Sequence, residues 1–370
     1  MRLEAVELRR VRLPFHVPFR SALAETSVRE VVLVRVVTDA GEGWGECAAL
    51  SHPDYTSEYV DGAAAVLRSH LVPLLARAGP PSATGVAPAL AGIRGHRMAK
   101  AALEMAVLDA ELRAEGRSLA ARLGATRTWV EAGVAVGIPT SVAELLDDVG
   151  AALDEGYRRV KLKIAPGWDV EPVRAVRERF GDGVLLQADA NGAYRLDDAA
   201  ALAALDPFHL ALLEQPLPPG DLVGHAELGR RVRTPVCLDE SVTSADSAAT
   251  AVALGAASVV NVKPGRVGGY LEAVRVHDVC RAAGVGVWCG GMFESGLARS
   301  ANLALAALPG FTLPGDVSPP SRYLAADLVA PPVARDGRLA VPDRPGIGAD
   351  VDAGALRRAT VSVERVALAP

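Results

Sequence analysis

Short apolar runs recur through the middle of the chain, and each ends abruptly on a charged side chain. The runs at 160–164, 185–191, 212–216, 238–241 and 259–265 carry Lys163, Asp189, Glu214, Asp239 and Lys263. The intervals between those five residues are 26, 25, 25 and 24 positions, room for one strand, one crossover helix and two short loops. Repetition of such βα units at near-constant length predicts neighbouring parallel strands, and enough of them close into a barrel. The charges at the strand ends then converge on one mouth. Between the runs the periodicity becomes helical, predicting helices near 169–180, 196–205, 221–232, 244–254 and 268–283. Upstream, 133–138 reads as the first strand, followed by Thr140 or Ser141 as N-cap with Glu144 placed for a capping box. Downstream, 285–290 reads as the seventh strand, 295–308 as its helix, and 311–316 as a short eighth strand.

Ahead of the repeats the pattern differs. Residues 3–12 and 28–38 are rich in β-type side chains, and the second run leads through Asp39, Ala40 and Gly41 to another strand at 43–47, an antiparallel meander. Helical periodicity follows over 56–78 and 97–115, the latter with Met98, Ala102, Met105, Ala106 and Leu112 apolar, and the Pro- and Gly-rich stretch 79–92 is read as the loop between them. The predicted organisation is an α+β domain over 1–125, the barrel over 126–322, and a tail over 323–370 whose strand-like pieces return to the first domain.

Composition narrows the function. A formal net charge of -5, no basic block and 4% aromatics argue against nucleic acid, and nothing in the chain calls for a membrane. No signal-peptide order opens the sequence. Cys47, Cys237, Cys280 and Cys289 are scattered, the pattern of reduced packing thiols in a cytoplasmic protein rather than of a zinc site. Lysine and arginine total 39, yet only Lys100, Lys161, Lys163 and Lys263 are lysines. Three of these four lie in the strand-end runs. Arginine cannot lose its proton at any useful pH, so lysine at those positions points to an amine that must.

On the barrel, Lys163 closes strand two and Lys263 strand six, facing each other across the mouth with Asp189, Glu214 and Asp239 between them. Three oxygen ligands from adjacent strands suit a hard divalent cation, Mg²⁺ or Mn²⁺. A carboxylate substrate held there would give an enediolate when its α-proton leaves, the metal stabilising the developing charge and a lysine acting as base. An ordinary lysine pKa of about 10.4 is too high for that work. Lys161, on the same face two residues before Lys163, the metal, and Arg266 beside Lys263 are the cations expected to lower it. Lys161 could equally be a buried charge paired with a carboxylate.

Lys161-Leu-Lys163, Asp189-Ala-Asn191, Glu214-Gln-Pro, Asp239-Glu240-Ser and Asn261-Val-Lys263-Pro-Gly-Arg-Val-Gly-Gly together resemble the muconate lactonizing subgroup of the enolase superfamily, known for a Lys or His base acting with Mg²⁺. Trp288-Cys-Gly-Gly-Met-Phe-Glu-Ser-Gly and Phe311-Thr-Leu-Pro-Gly-Asp-Val-Ser are similar to the o-succinylbenzoate synthases and the related N-acylamino acid (N-succinylamino acid) racemases. The likeness runs over nearly the whole chain, including His96-Arg-Met-Ala-Lys and Ala102-Leu-Glu-Met-Ala. It implies a modified (β/α)7β TIM-like barrel under an α+β capping domain built from both termini. It implies Asp189, Glu214 and Asp239 as ligands of Mg²⁺, for which Mn²⁺ could substitute, and Lys163 and Lys263 as the acid/base pair. Asn191 would orient the metal site and Asn261 the second lysine, with Glu240, Arg266, Gly291 and Met292 close by. Loops at 19–26, with Phe19, and around Tyr55 would close over a small-molecule carboxylate. The implied activity is dehydration to o-succinylbenzoate in menaquinone biosynthesis, N-acylamino acid racemisation, or both, in a homo-oligomer. Gly192 stands where relatives often carry Ser or Thr, Asp316-Val-Ser lacks the Asp-x-Asp of dipeptide epimerases, and Lys263 replaces the His of a mandelate-racemase-like site.

Other readings remain at this point. They are another cycloisomerase or epimerase of the same subgroup, a Schiff-base aldolase on a barrel lysine, for which the three carboxylates have no use, and a binding barrel, which needs no opposed lysines.

Overall fold

The computed structural model describes residues 1–20 and 25–368. Strands β1 (Leu3–Arg20), β2 (Glu25–Thr38) and β3 (Gly41–Glu46) form the expected meander, the first two longer than their apolar runs. Alternation along β2 buries both faces: Val32, Val34 and Val36 pack on the helices of this domain, while Val31 and Leu33 join the cluster that continues into the barrel. Helix Arg97–Ala114 lies so close to β3 that a Cβ on Gly45 would stand 1.9 Å from the Ala102 carbonyl oxygen. Only glycine on the strand and alanine on the helix permit that approach.

Of two predictions in this region, one holds with an irregularity and one fails, each for a local reason. The helix expected over 56–78 starts at Val60 and widens into a π turn at Leu67–Leu71, where Pro73 in the following turn cannot donate an N–H. The loop expected over 79–92 contains a helix, Ala83–Ala89, started by Ser82 Oγ accepting from Gly85 N at 3.2 Å.

After β4 (Trp129–Glu131) the barrel begins. β5 (Gly133–Val136), β6 (Arg159–Lys163), β7 (Leu185–Asp189), β8 (Leu212–Glu214), β9 (Val236–Leu238), β10 (Val259–Val262) and β11 (Gly286–Cys289) form one parallel sheet in chain order. Helix Val142–Asp154 uses both candidate caps: Ser141 Oγ accepts from Glu144 N at 3.2 Å, and Glu144 Oε2 accepts from Thr140 N at 2.9 Å. The eighth segment is not a laddered strand. It bridges β11 through Val287 and Phe311 and the start of β5 through Ala132 and Gly315, with Gly133 N donating to Gly315 O at 2.7 Å. Pro314, lacking an N–H, interrupts the ladder, yet these contacts close the ring into a (β/α)7β barrel.

Alternation within the strands decides what faces the axis. Leu212, Cys237, Val259 and Trp288 fill the barrel interior, while Val160, Leu162, Leu186, Leu213 and Val260 face the helices. The tail adds β12 (Ala334–Arg335) and β13 (Arg338–Ala340) beside β4, and β14 (Thr360–Val366) antiparallel to β1. Among the described residues, no helix is long and apolar enough to cross a membrane.

Two buried carboxylates of the first domain cap barrel helices. Glu46 accepts from Ser295 N at 3.0 Å beside helix Gly296–Ala306, and Glu104 accepts from Tyr270 N at 2.6 Å and Leu271 N at 3.1 Å, starting helix Tyr270–Ala282. Burial pushes the Glu104 carboxyl up to about 7, against the pull of those two N–H groups. An acid whose folded pKa is raised binds its proton more tightly when folded, so its stabilising contribution is complete below the unfolded value and is lost as pH rises through about 7. Thermal unfolding followed from pH 5 to 8 should therefore show Tm falling, and Glu104→Gln should flatten that fall. Equal slopes in both proteins would remove Glu104 as its source.

Candidate functional site

Strand register builds the site. Lys163 on β6 stands opposite Asp189 on β7, Asp189 opposite Glu214 on β8, and Glu214 opposite Cys237, so Asp239, two residues further along, points the same way. Lys263 follows directly after β10. The Glu-Gln-Pro turn supplies a brace that the sequence reading passed over: Gln215 Oε1 accepts from Asp239 N at 2.9 Å, and Nε2 donates to Ser241 Oγ at 2.8 Å. Its signal was an uncharged amide between Glu214 and Pro216 in a run otherwise made of leucines.

Each lysine has its own partners. Lys163 Nζ donates to Asp189 Oδ2 at 2.6 Å and Asn191 Oδ1 at 2.7 Å. Lys263 Nζ donates to Asp239 Oδ2 at 2.8 Å and Tyr55 Oη at 3.1 Å, and lies 4.5 Å from the Tyr55 ring centre. Asn191 also donates to Glu240 Oε1 at 3.0 Å, and Asn261 Nδ2 donates to Glu214 Oε1 at 2.7 Å. Arg266 lies behind Asp239, paired with it and donating from Nε to Val242 O at 2.7 Å. A Cβ at Gly290 would stand 2.1 Å from Asn261 Oδ1 and 2.7 Å from the Lys263 side chain, so bare backbone is required there.

Lys161 takes the second of its two readings. Its ammonium, 3% exposed as a residue, lies 2.7 Å from Asp316, 3.0 Å from Glu214 and 3.4 Å from Asp189. Burial pulls its pKa down, but these three carboxylates outweigh burial and hold it above the ordinary lysine value. The same balance raises Lys263: burial lowers it, and Tyr55, Glu214 and Glu240 push it up by more. Lys161 is thus spent on three carboxylates and Arg266 on Asp239, so neither stands as a free cation beside Lys263. Asp189 is held below the usual carboxylate range: burial would raise it, but Lys163 and Lys161 prevail. Burial and then Asp189 push Glu214 upward.

Among the described residues, no three carboxylate, imidazole or thiol groups already converge as a cage for a metal. The donor set nevertheless fits a hard cation. It is all oxygen, from three successive strand ends, and Glu214 Oε2 accepts no well-aligned hydrogen bond although fully buried and 3.0 Å from Lys161 Nζ.

Above these groups lies a cavity of about 230 Å³, with Lys161, Lys163, Asn191 and Lys263 on one side and Phe19 and Tyr55 from the first domain on the other. Gly291 and Met292 also border it, whereas Glu240 and Arg266 stand behind its wall. Phe19 packs edge-on against Phe293, ring centres 4.9 Å apart, joining the β1 tip to the segment after β11. Of the loop expected at 19–26, residues 21–24 lie outside the described residues.

Two networks at this cavity escaped the sequence reading. Asp316, noticed there only for the motif it does not complete, is held by Lys161 and by Arg159 Nη1 at 2.6 Å, which places it well below the usual carboxylate range against the effect of burial. Arg299, on helix Gly296–Ala306, bonds Glu294 Oε2 at 3.0 Å and Tyr323 Oη at 3.0 Å. Apart from the Arg299–Glu294 pair, five residues apart, these partners are distant in sequence.

Residues 4–124 match the family described as "Mandelate racemase / muconate lactonizing enzyme, N-terminal domain", and residues 144–355 match "Enolase C-terminal domain-like". The chain is 62% identical over 348 residues to an N-succinylamino acid racemase of Amycolatopsis sp, covering 94% of this chain and 95% of that one. It is 44% identical over 360 residues to an o-succinylbenzoate synthase of Geobacillus kaustophilus, covering 97% and 96%. A solved enolase-superfamily structure from Listeria innocua superposes with a TM-score of 0.95 at 38% identity, covering 99% of each chain. With fold, strand-end residues and these likenesses in agreement, the chain belongs to the enolase superfamily and is an enzyme of its mandelate racemase / muconate lactonizing branch.

Proposed function

We propose that the protein removes the proton α to the carboxylate of an N-acylamino acid and returns it to the opposite face, and that the same apparatus can dehydrate a substrate to o-succinylbenzoate. The observation that carries this is the pair of amines: Lys163 on β6 and Lys263 after β10, at opposite ends of the run β6-β7-β8-β9-β10, border one cavity. Racemisation needs an acid on one face of a planar intermediate and a base on the other.

Asp189, Glu214 and Asp239 would hold the divalent cation. When bound, the ion would stabilise charge developing on the substrate carboxylate. Lys163 and Lys263 then carry the proton at their Nζ atoms. Asn191 orients Lys163, Tyr55 and Arg266 orient Lys263 and Asp239, and the Phe19–Phe293 contact shields the reacting face from water. Asp316 offers no free charge for an α-ammonium, since Lys161 and Arg159 already neutralise it. That favours a substrate whose amine is acylated. A Schiff-base reading is disfavoured because both amines sit on carboxylates that such chemistry does not use.

The test is direct. Purified protein with Mg²⁺ is given enantiopure N-succinylamino acids, followed by polarimetry, and the dehydration substrate, followed by absorbance. Turnover of either supports the reading, and its relative kcat/KM ranks the two reactions. Turnover of neither sinks it.

A further inference from the structure

One contact is not enough to aim a lysine, and the second contact of Lys163 leads away from the cavity to a residue that does not border it. We propose that Glu240 sets the working position of Lys163 by fixing which way the Asn191 amide points. The inference rests on the proposed function, in which Lys163 moves a proton on one face of the substrate.

An ammonium only donates hydrogen bonds. Lys163 Nζ donates to Asp189 Oδ2 at 2.6 Å and to Asn191 Oδ1 at 2.7 Å. The first bond alone leaves a flexible four-carbon stem free to swing about one point, and the second holds it. Asn191 offers that second bond only while its oxygen faces the lysine, because a turned amide would set Nδ2 against Nζ, donor against donor. Its backbone is already pinned. Asn191 has a φ of 43°, its N donates to Asp189 Oδ1 at 3.0 Å, and Gly192 N donates to Gln215 O at 2.7 Å. What remains is the sense of the amide, and Glu240, two residues past β9, decides it: Oε1 accepts from Asn191 Nδ2 at 3.0 Å. That oxygen accepts whether Oε2 is bare or protonated, so the direction of the chain does not depend on the charge of Glu240.

Glu240 is 7% exposed and is not among the residues bordering the cavity, so it acts through Asn191 and is a positioning residue. Lys263 is held otherwise, donating to Asp239 Oδ2 and Tyr55 Oη. Among the described residues Glu240 makes no hydrogen bond to Lys263 and influences it through charge. The two amines therefore differ in what they need from Glu240, an acceptor for one and a charge for the other.

Glu240→Gln and Glu240→Met separate the two needs. Both remove the charge, and only glutamine keeps an oxygen for Asn191. Exchange of the α-hydrogen is followed in D₂O for each N-acylamino acid enantiomer, the one that depends on Lys163 being the one that Lys263→Ala still exchanges. That exchange should be about 10- to 100-fold slower in Glu240→Met than in Glu240→Gln, the effect of a reacting group misplaced by about 1 Å, with the loss in kcat rather than KM. Exchange through Lys263 should agree within about threefold between the two variants, and so should their Mg²⁺-dependent rise in Tm. Equal exchange through Lys163 in both would overturn the assignment, as would loss of the Mg²⁺ effect in Glu240→Met alone, which would place Glu240 on the ion. A second comparison keeps shape and puts no apolar group in the buried position, so it decides the matter even where Glu240→Met does not fold. Asn191→Asp sets two acceptors face to face, while Asn191→Asp combined with Glu240→Gln reverses the donor and restores the bond. The double variant should exchange through Lys163 about tenfold faster than Asn191→Asp, the equivalent of one buried hydrogen bond, and equal rates would overturn the assignment. Failure of the proposed function looks different: wild type itself would exchange neither enantiomer.

Discussion

Glu214→Gln abolishes turnover while the protein keeps its fold. The residue lies at the centre of the strand-end set, between Asp189 and Asp239. Its Oε1 accepts from Asn261 at 2.7 Å, and its Oε2 accepts no aligned hydrogen bond. An amide oxygen can still accept from Asn261, and the change removes one negative charge from a crowded, fully buried group, so circular dichroism and Tm in chelator should match wild type or exceed it. The difference appears with metal. A cation that binds only the folded state stabilises it by about 2.7 kcal/mol at a hundred times its Kd, so wild type should gain several degrees in Tm on adding Mg²⁺ and the variant almost none. Dialysis of wild type against chelator should remove activity, with Mg²⁺ or Mn²⁺ restoring it. Full activity in the dialysed protein, or an equal Mg²⁺-dependent rise in Tm for Glu214→Gln, would show that these carboxylates do not hold the ion.

How much of this site could be read from the chain follows from which contacts are periodic. The strand-end residues were legible because a parallel barrel repeats at near-constant length, so spacing alone put Lys163, Asp189, Glu214, Asp239 and Lys263 at one mouth. Helix starts were legible for a similar reason, since caps are local: Ser141, Asp221 and Ser244 each accept a bond from an N–H three residues on. Non-local pairing was not legible. Nothing in the sequence joins Arg159 and Lys161 to Asp316, or Glu104 to the N–H groups of Tyr270 and Leu271, because those partners meet only after the barrel closes and the first domain docks. The loop wrongly read over 79–92 came from taking Pro and Gly as breakers without weighing Ser82 as a cap, and the π turn at Leu67–Leu71 was missed because helical periodicity was carried through Pro73 unbroken. The surroundings of Lys263 were legible only in part, because Glu214, Glu240 and Tyr55, which push its pKa up, come from other strands and from the first domain.

In D₂O, Lys263→Ala exchanges the α-hydrogen of one N-acylamino acid enantiomer through Lys163 and fails to interconvert the pair, and Lys163→Ala shows the mirror behaviour with the other enantiomer. Each amine reaches one face of the planar intermediate, so deleting one removes one face of the chemistry. Neither deletion strands a buried charge: Asp239 keeps Arg266 and Tyr55, and Asp189 keeps Lys161 at 3.4 Å. Racemisation should fall by roughly 10²-fold or more in each variant, the usual contribution of a positioned acid or base. Lys163→Arg sharpens the point, because arginine keeps the charge opposite Asp189 yet cannot give up a proton at working pH, so substrate binding should persist while proton transfer is lost. Dehydration behaves differently if it runs on one face. A single amine can then take the α-proton and return it to the departing hydroxyl, and the other lysine acts only as a fixed cation beside the developing charge. One of the two alanine variants should then lose dehydration through proton transfer and the other only through charge stabilisation, the second loss being partly recovered by arginine at that position. If both single variants exchange both enantiomers at similar rates, the amines do not lie on opposite faces, and the assignment of racemisation to this pair is lost.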